Sequence, residues 1–204
     1  VSIIGLLADV ATGSVGVNFN LTGVAAHSAY EELGVSAVDY LSEAIVALNT
    51  LEPYLPKGEL LGDSTLNTGR IVGGLAGNIV AAFANATTSV RVAGGELDTF
   101  EELITIALQP IKERMDAAGG LFNYTITKNY GAIILDTDFD FLPQKAMKYG
   151  TDIPSLPQVE KRYLFGPGSI TVAHTPGEFL SVPELLASVE AYGQMIEQLA
   201  GGSS

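Results

Sequence analysis

Two histidines, His27 and His174, carry most of the chemistry that this 204-residue sequence offers near neutral pH, because it contains no cysteine. The missing thiols exclude disulfides, thiolate metal sites and cysteine nucleophiles. Imidazole is then the side chain best suited to move a proton or to ligate a transition metal without a strongly shifted pKa. His27 stands in VAAHSAYEELG (residues 24–34), among small residues at the end of a strand-like run. His174 stands in GPGSITVAHTPGEF (residues 166–179). For His27 the competing reading is a loop or interface histidine with a structural role, and for His174 a strand-end histidine that binds no metal. A lone histidine does not hold a metal ion, so a ligand role for either requires carboxylates and a further histidine from elsewhere.

The elements that must position these residues follow from composition and periodicity. Apolar residues make up 47% and charged residues 16%, which implies a packed core in one large or two small domains. The formal charge of −13 repels nucleic-acid backbones and anionic membrane surfaces, so neither is an expected partner. Residues 1–10 are apolar but carry Asp9 and no basic flank, too short a stretch to span a bilayer, and read as a buried strand. The closing GGSS reads as a flexible tail. Three Asn-x-Thr sequons, at Asn20, Asn85 and Asn123, arise from only eight asparagines. Chance gives about one, so the excess points toward a secreted or vacuolar protein, with a cytoplasmic one as the alternative.

Val15, Val17, Phe19 and Leu21 alternate with polar residues and predict a strand over 15–21. Val35, Val38, Leu41, Ile45 and Leu48 predict a helix over 35–51, ended by Pro53. Strands are expected at 65–72 and 84–92, then a helix from Thr99, whose spacing to Glu102 suits a capping box and which Pro110 should kink or shorten. A further strand is expected at 121–127. Residues 15–127 thus read β-α-β-β-α-β, which suits a four-stranded antiparallel sheet with two helices on one face, an α+β, ferredoxin-like arrangement. Beyond it come Pro- and Gly-punctuated loops, strands at 162–165 and 170–173, and a final helix. That helix is capped by Ser181 with Glu184 and expected to bury Leu185, Val189, Tyr192 and Ile196. The domain boundaries expected are 1–12, 13–128, 129–200 and a tail at 201–204, with the first and third segments sharing one incomplete domain.

Four segments, in order, resemble the dinuclear-zinc amidohydrolase and metallopeptidase family that includes acetylornithine deacetylase, succinyl-diaminopimelate desuccinylase, aminoacylase and glutamate carboxypeptidase. They are GVAAHSAYEELGVSA (residues 23–37), GRIVGGLAGNIV (69–80), SVRV (89–92), and YGTDIP with RYLFGPGSITVAH (149–154 and 162–174). The likeness covers nearly the whole chain. It implies that residues 13–128 form the lid and dimerisation domain, and that the remainder is the C-terminal part of an α/β catalytic domain holding two zinc ions. His27 would be the lid histidine that reaches into the active site of a partner subunit in a homodimer, donating to the oxyanion of a tetrahedral intermediate. Asn78 and Arg91 would hold substrate, the latter through bidentate bonds to a carboxylate, unless Arg91 is an ordinary surface ion. Gly166 and Gly168 would bring backbone N–H groups to a substrate carboxylate, though a bare GPG is also a turn signal. His174 would be the last metal ligand, with Glu178 orienting the loop or the ring.

The departures from the family pattern are as informative. In the family the His-x-Asp motif, the bridging Asp and the catalytic Glu-Glu pair come from the segment before the lid, and residues 1–12 here carry none of them. Where a Gly-Glu-Pro-like ligand motif is expected the chain reads IIGLLAD (residues 3–9), with Leu6 at the carboxylate position and Asp9 as a doubtful substitute. Ala81 replaces a proline. The resemblance therefore implies the C-terminal portion of a zinc-dependent amidohydrolase acting on an N-acyl amino acid or small peptide, this chain alone being inactive. The alternative is a non-catalytic dimerising or binding module, and an unrelated α+β scaffold is the third reading.

Overall fold

The structure is a computed structural model, which describes residues 5–156 and 159–201. In chain order these form β1 (Leu6–Ala11), β2 (Gly13–Thr22), α1 (Ala37–Leu51), β3 (Lys57–Gly58), β4 (Gly62–Asp63), β5 (Thr65–Gly73), β6 (Phe83–Val92), α2 (Leu97–Ala117), β7 (Leu121–Tyr130), β8 (Ile133–Ile134), β9 (Gln144–Met147), β10 (Phe165–Gly166) and α3 (Val182–Gly201). They divide into two compact units, Thr12–Ala132 with Lys148–Gly150, and Val1–Ala11 with Ile133–Met147 and Thr151–Ser204. No described helix is long and apolar enough to cross a membrane.

The first unit is the α+β, ferredoxin-like fold. Its antiparallel sheet has the order β5-β6-β2-β7, and alternate residues along each strand separate its two faces. Val15, Val17, Phe19 and Leu21 of β2, Ala84, Ala86, Val90 and Val92 of β6, and Phe122 of β7 point to one side. There they meet Leu41, Ala44 and Leu48 of α1 and Phe100, Ile104, Leu108, Ile111 and Met115 of α2. Ser36 caps α1 by accepting from the Asp39 N–H at 3.3 Å. The expected start of α2 at Thr99 is corrected: the helix begins at Leu97, with Glu96 before it and no side-chain cap. Leu97, the first residue of the helix, is half-buried and packs against the core. Pro110 lies inside α2 without shortening it, since the helix runs on to Ala117.

A turn from α2 into β7 is tied by Asp116. Its carboxylate accepts from Lys112 Nζ at 2.5 Å and from the Phe122 N–H at 2.9 Å, and these two bonds hold its pKa below the usual 3.8. A lowered native pKa stabilises the fold fully above the unfolded value, about pH 4, and the stabilisation is lost as pH falls through the native value. Acid melting of Asp116→Asn should accordingly be shallower than that of the parent below about pH 4; a parallel pair of melting curves would refute the assignment.

The helix-free face of the sheet is polar. It presents Asn85, Thr87, Ser89 and Arg91 from β6, Asn18 and Asn20 from β2, and Asn123, Thr125 and Thr127 from β7. Asn20 pairs with both Asn85 and Asn123, so the three sequon asparagines share one rung. Residues i and i+2 of a strand lie on the same face. A face built from Asn and Thr therefore generates Asn-x-Thr repeatedly, a reason for the sequon excess that is independent of compartment. In β5 a bulge interrupts the pairing: Thr68 faces Thr88, Arg70 faces Thr87, and Gly69 has no partner. This extra residue turns Arg70 and Val72 to the helix-free face, where simple alternation would have placed Gly69 and Ile71.

The second unit is a small mixed sheet in which β1 pairs with β8, β9 and β10, packed through Leu7, Phe139, Leu142, Ala191 and Met195. Three expectations are corrected here. The strand expected over 162–165 contracts to Phe165–Gly166, paired with Leu6 and Leu7. The strand expected over 170–173 is a 3-10 turn, Ile170–Val172, capped by the Ser169 hydroxyl. In α3 the buried residues are Ser188, Ala191 and Met195, whereas Leu185, Val189, Tyr192 and Ile196 are exposed. The helix is apolar around most of its circumference, so periodicity does not select the inner face. Residues 1–4 and 202–204, parts of the expected first strand and tail, lie outside the described residues.

Candidate functional site in the lid unit

His27 leads into a 3-10 turn, Ser28–Leu33, as its N-cap. Its Nδ1 accepts the Ala29 N–H at 3.1 Å. An accepting Nδ1 bears no proton, so the neutral ring carries its proton on Nε2 and offers it as a donor. Tyr30 packs edge-on to the imidazole with centroids 6.3 Å apart, and the residue itself is exposed.

The turn is held by a second segment. His27 bridges Ile79, Ser28 N–H donates to the Asn78 carbonyl at 3.0 Å, and Val80 N–H donates to the Ala26 carbonyl at 2.9 Å. His27 and Asn78, 51 residues apart, are thereby brought to one end of the sheet. Ala81 contributes its carbonyl to the Ala37 N–H at 2.8 Å. Arg91 lies at the opposite end of β6, whose other terminus is Phe83. Eight residues of strand separate the two by roughly 27 Å. Within one lid, Arg91 and the His27–Asn78 end are not in reach of each other.

A groove of about 770 Å³ opens between the 3-10 turn, the start of α1 and residues 73–81. Glu31, Glu32 and Asp39 line it, so its field repels a carboxylate. Neither His27 nor Asn78 forms its wall.

In the other unit Gly166 belongs to β10. Gly168 has φ +83°, a left-handed conformation that favours glycine. His174 follows the 3-10 turn with φ 62°, unusual for a residue with a side chain. Glu178 accepts the His174 backbone N–H at 3.0 Å, so it orients the loop. Asp9 keeps one carboxylate oxygen buried without a hydrogen-bond partner, yet no group of three His, Cys, Asp or Glu able to hold a metal occurs among the described residues. These residues do not by themselves make a zinc site.

The four-stranded antiparallel sheet with two helices on one face is the fold of the peptidase dimerisation domain. Residues 11–116 match the family model of that description, and the chain belongs to the M20 peptidase family. A probable carboxypeptidase of Ajellomyces dermatitidis is 36% identical over 208 residues, covering 94% of this chain and 46% of the relative. The chain thus spans about half the length of the curated relatives it matches. Among solved structures, the aminopeptidase PepT of Bacillus cereus aligns with a TM-score of 0.67 at 22% identity, over 97% of this chain and 54% of that one. A tripeptidase of Staphylococcus aureus aligns at 0.66 and 18% identity, over 96% and 54% respectively. These two likenesses establish the fold.

Proposed function

We propose that the chain is the C-terminal portion of a zinc-dependent amidohydrolase or metallopeptidase that hydrolyses an N-acyl amino acid or a small peptide, working as a homodimer through its lid. Relatives named carboxypeptidase, aminopeptidase and tripeptidase support a peptide substrate. Zinc, when bound, supplies an activated water for attack on the amide. His174 is one ligand in this reading, and the remaining ligands are not among the described residues.

The observation that carries the proposal is the polarity of the His27 ring. The Ala29 N–H occupies Nδ1, so Nε2–H is fixed as a donor for the oxyanion that forms during amide hydrolysis. The distance between Arg91 and the His27–Asn78 end supports action between subunits. A two-fold, edge-to-edge pairing of lid sheets reverses strand direction, and so turns the His27 end of one lid toward the Arg91 end of the other. Arg91 then grips the substrate carboxylate from one subunit while His27 and Asn78 of the other face the scissile bond. Gly166 and Gly168, in this reading, offer backbone donors to a substrate carboxylate.

The second reading, a non-catalytic dimerising module, is favoured by the altered IIGLLAD segment, where Leu6 stands at the position of the expected carboxylate. Metal analysis of the full-length protein, together with a survey of N-acyl amino acids and short peptides as substrates, separates the two. Stoichiometric zinc with hydrolysis abolished by chelation is expected; a metal-free, inert full-length dimer overturns the enzyme reading.

A further inference from the structure

We propose that the helix-free face of the lid sheet binds short, extended acidic peptides, with Arg70 as a second anion anchor beside Arg91. The inference rests on the peptidase reading for the role of Arg91. It begins from a charge distribution. The chain has 23 acidic residues, but β2, β5, β6 and β7 contain no Asp or Glu at all. On the helix-free face the side chains between Arg70 and Arg91 are amides and hydroxyls with no carboxylate among them, while Val72, Phe83 and Leu121 lie at the far end of the face.

Arg70 is on that face because of the bulge at Gly69, which sets it opposite Thr87. It is exposed, and neither it nor Arg91 enters an ion pair among the described residues. Thr87 in turn donates its hydroxyl to Asn18 at 3.3 Å, so the floor beside Arg70 is an amide and hydroxyl ladder. Arg91 is four residues further along β6 and one strand over. At about 3.4 Å per residue and 4.8 Å per strand, the two Cα atoms lie about 14 Å apart. An extended peptide of roughly four residues covers that span. Its C-terminal carboxylate would meet Arg91 and an acidic side chain near its N-terminus would meet Arg70, each through charge-assisted, bidentate bonds. The remaining acidity of the chain repels long polyanions, which restricts the occupant to a short peptide.

Binding of acetyl-Glu-Ala-Ala-Ala and acetyl-Gln-Ala-Ala-Ala to the 204-residue chain, followed by calorimetry at low ionic strength, tests this. The Glu peptide should bind about tenfold more tightly, and Arg70→Gln should erase that difference while Arg70→Lys retains part of it. Arg91→Gln should weaken both peptides alike. Equal binding of the two peptides, or a preference that survives in Arg70→Gln with its circular dichroism unchanged, overturns the proposal. So does an Arg70→Gln variant whose only change is in molar mass by light scattering, which would make this face a subunit contact. If neither peptide binds but the full-length protein hydrolyses peptides, the acidic-peptide site fails and the peptidase reading stands. The expected binding pattern in a full-length protein that hydrolyses nothing has the opposite meaning.

Discussion

Mixing His27→Ala and Arg91→Ala protomers of the full-length protein should restore activity that neither variant has alone. Removing one preorganised oxyanion donor costs about 10²–10³ in kcat, so His27→Ala homodimers should be nearly inactive with KM little changed. Arg91→Ala would remove the carboxylate grip proposed for it and should act mainly through kcat/KM. If His27 serves the neighbouring subunit, a mixed dimer contains one site with both residues and one with neither. Random exchange makes half the dimers mixed, each with one of two sites intact, so about a quarter of parental activity should return in a two-fold symmetric assembly. If His27 and Arg91 acted within one protomer, every site would lack one of them and nothing would return. The roughly 27 Å of β6 between Arg91 and its Phe83 end, the end at which the His27–Asn78 segment lies, is the physical basis for expecting recovery.

Phe122→Ala should be the most damaging single truncation in the lid. The ring is fully buried and meets Phe19 and Tyr124 edge-on, with centroids 6.2 and 6.1 Å away. A phenylalanine cut to alanine in such a core costs about 3–5 kcal/mol through lost transfer energy and the cavity left behind. In a chain of this size that corresponds to a fall in melting temperature of about 10 °C. The adjacent Leu121 is exposed on the other face of β7, and Leu121→Ala should stay within about 0.5 kcal/mol. Thermal melts of the two variants provide the check; equal losses would mean that β7 is not held in this register.

The lid was legible in the sequence because each of its elements has one apolar side. The run of Val15, Val17, Phe19 and Leu21 can bury only as a strand, and the spacing of Val38, Leu41, Ile45 and Leu48 only as a helix. Where two sides were apolar the reading failed, as in α3, whose inner stripe of Ser188, Ala191 and Met195 is less hydrophobic than the one exposed. At 170–173 a β-branched run suggested a strand, but the Ser169 hydroxyl satisfies the Thr171 N–H locally and makes a 3-10 turn instead. The candidate site was legible by residue type and not by arrangement. His27 meets the Asn78 segment through backbone pairing across 51 residues, and no local pattern encodes such a distance. The ring's proton is set by the Ala29 amide, a bond visible only once the turn has folded. Arg70 went unassigned because its face depends on one unpaired glycine, although a lone Gly inside a strand pattern is the known mark of a bulge.

That glycine has a consequence for how this lid tolerates insertions and deletions. A strand assigns its side chains to two faces by parity, and Gly69 is a single extra count that reverses the parity of everything after it in β5. Losing one codon there would remove no contact of its own. It would also leave Arg70 and Ile71 on their present faces, because Thr68 and Arg70 already stand opposite the adjacent residues Thr88 and Thr87; an inserted residue with no bulge to absorb it would exchange them instead. Loops usually absorb a change in length, but here an edge strand carries one extra residue, with no side chain, and keeps its frame on both sides of it.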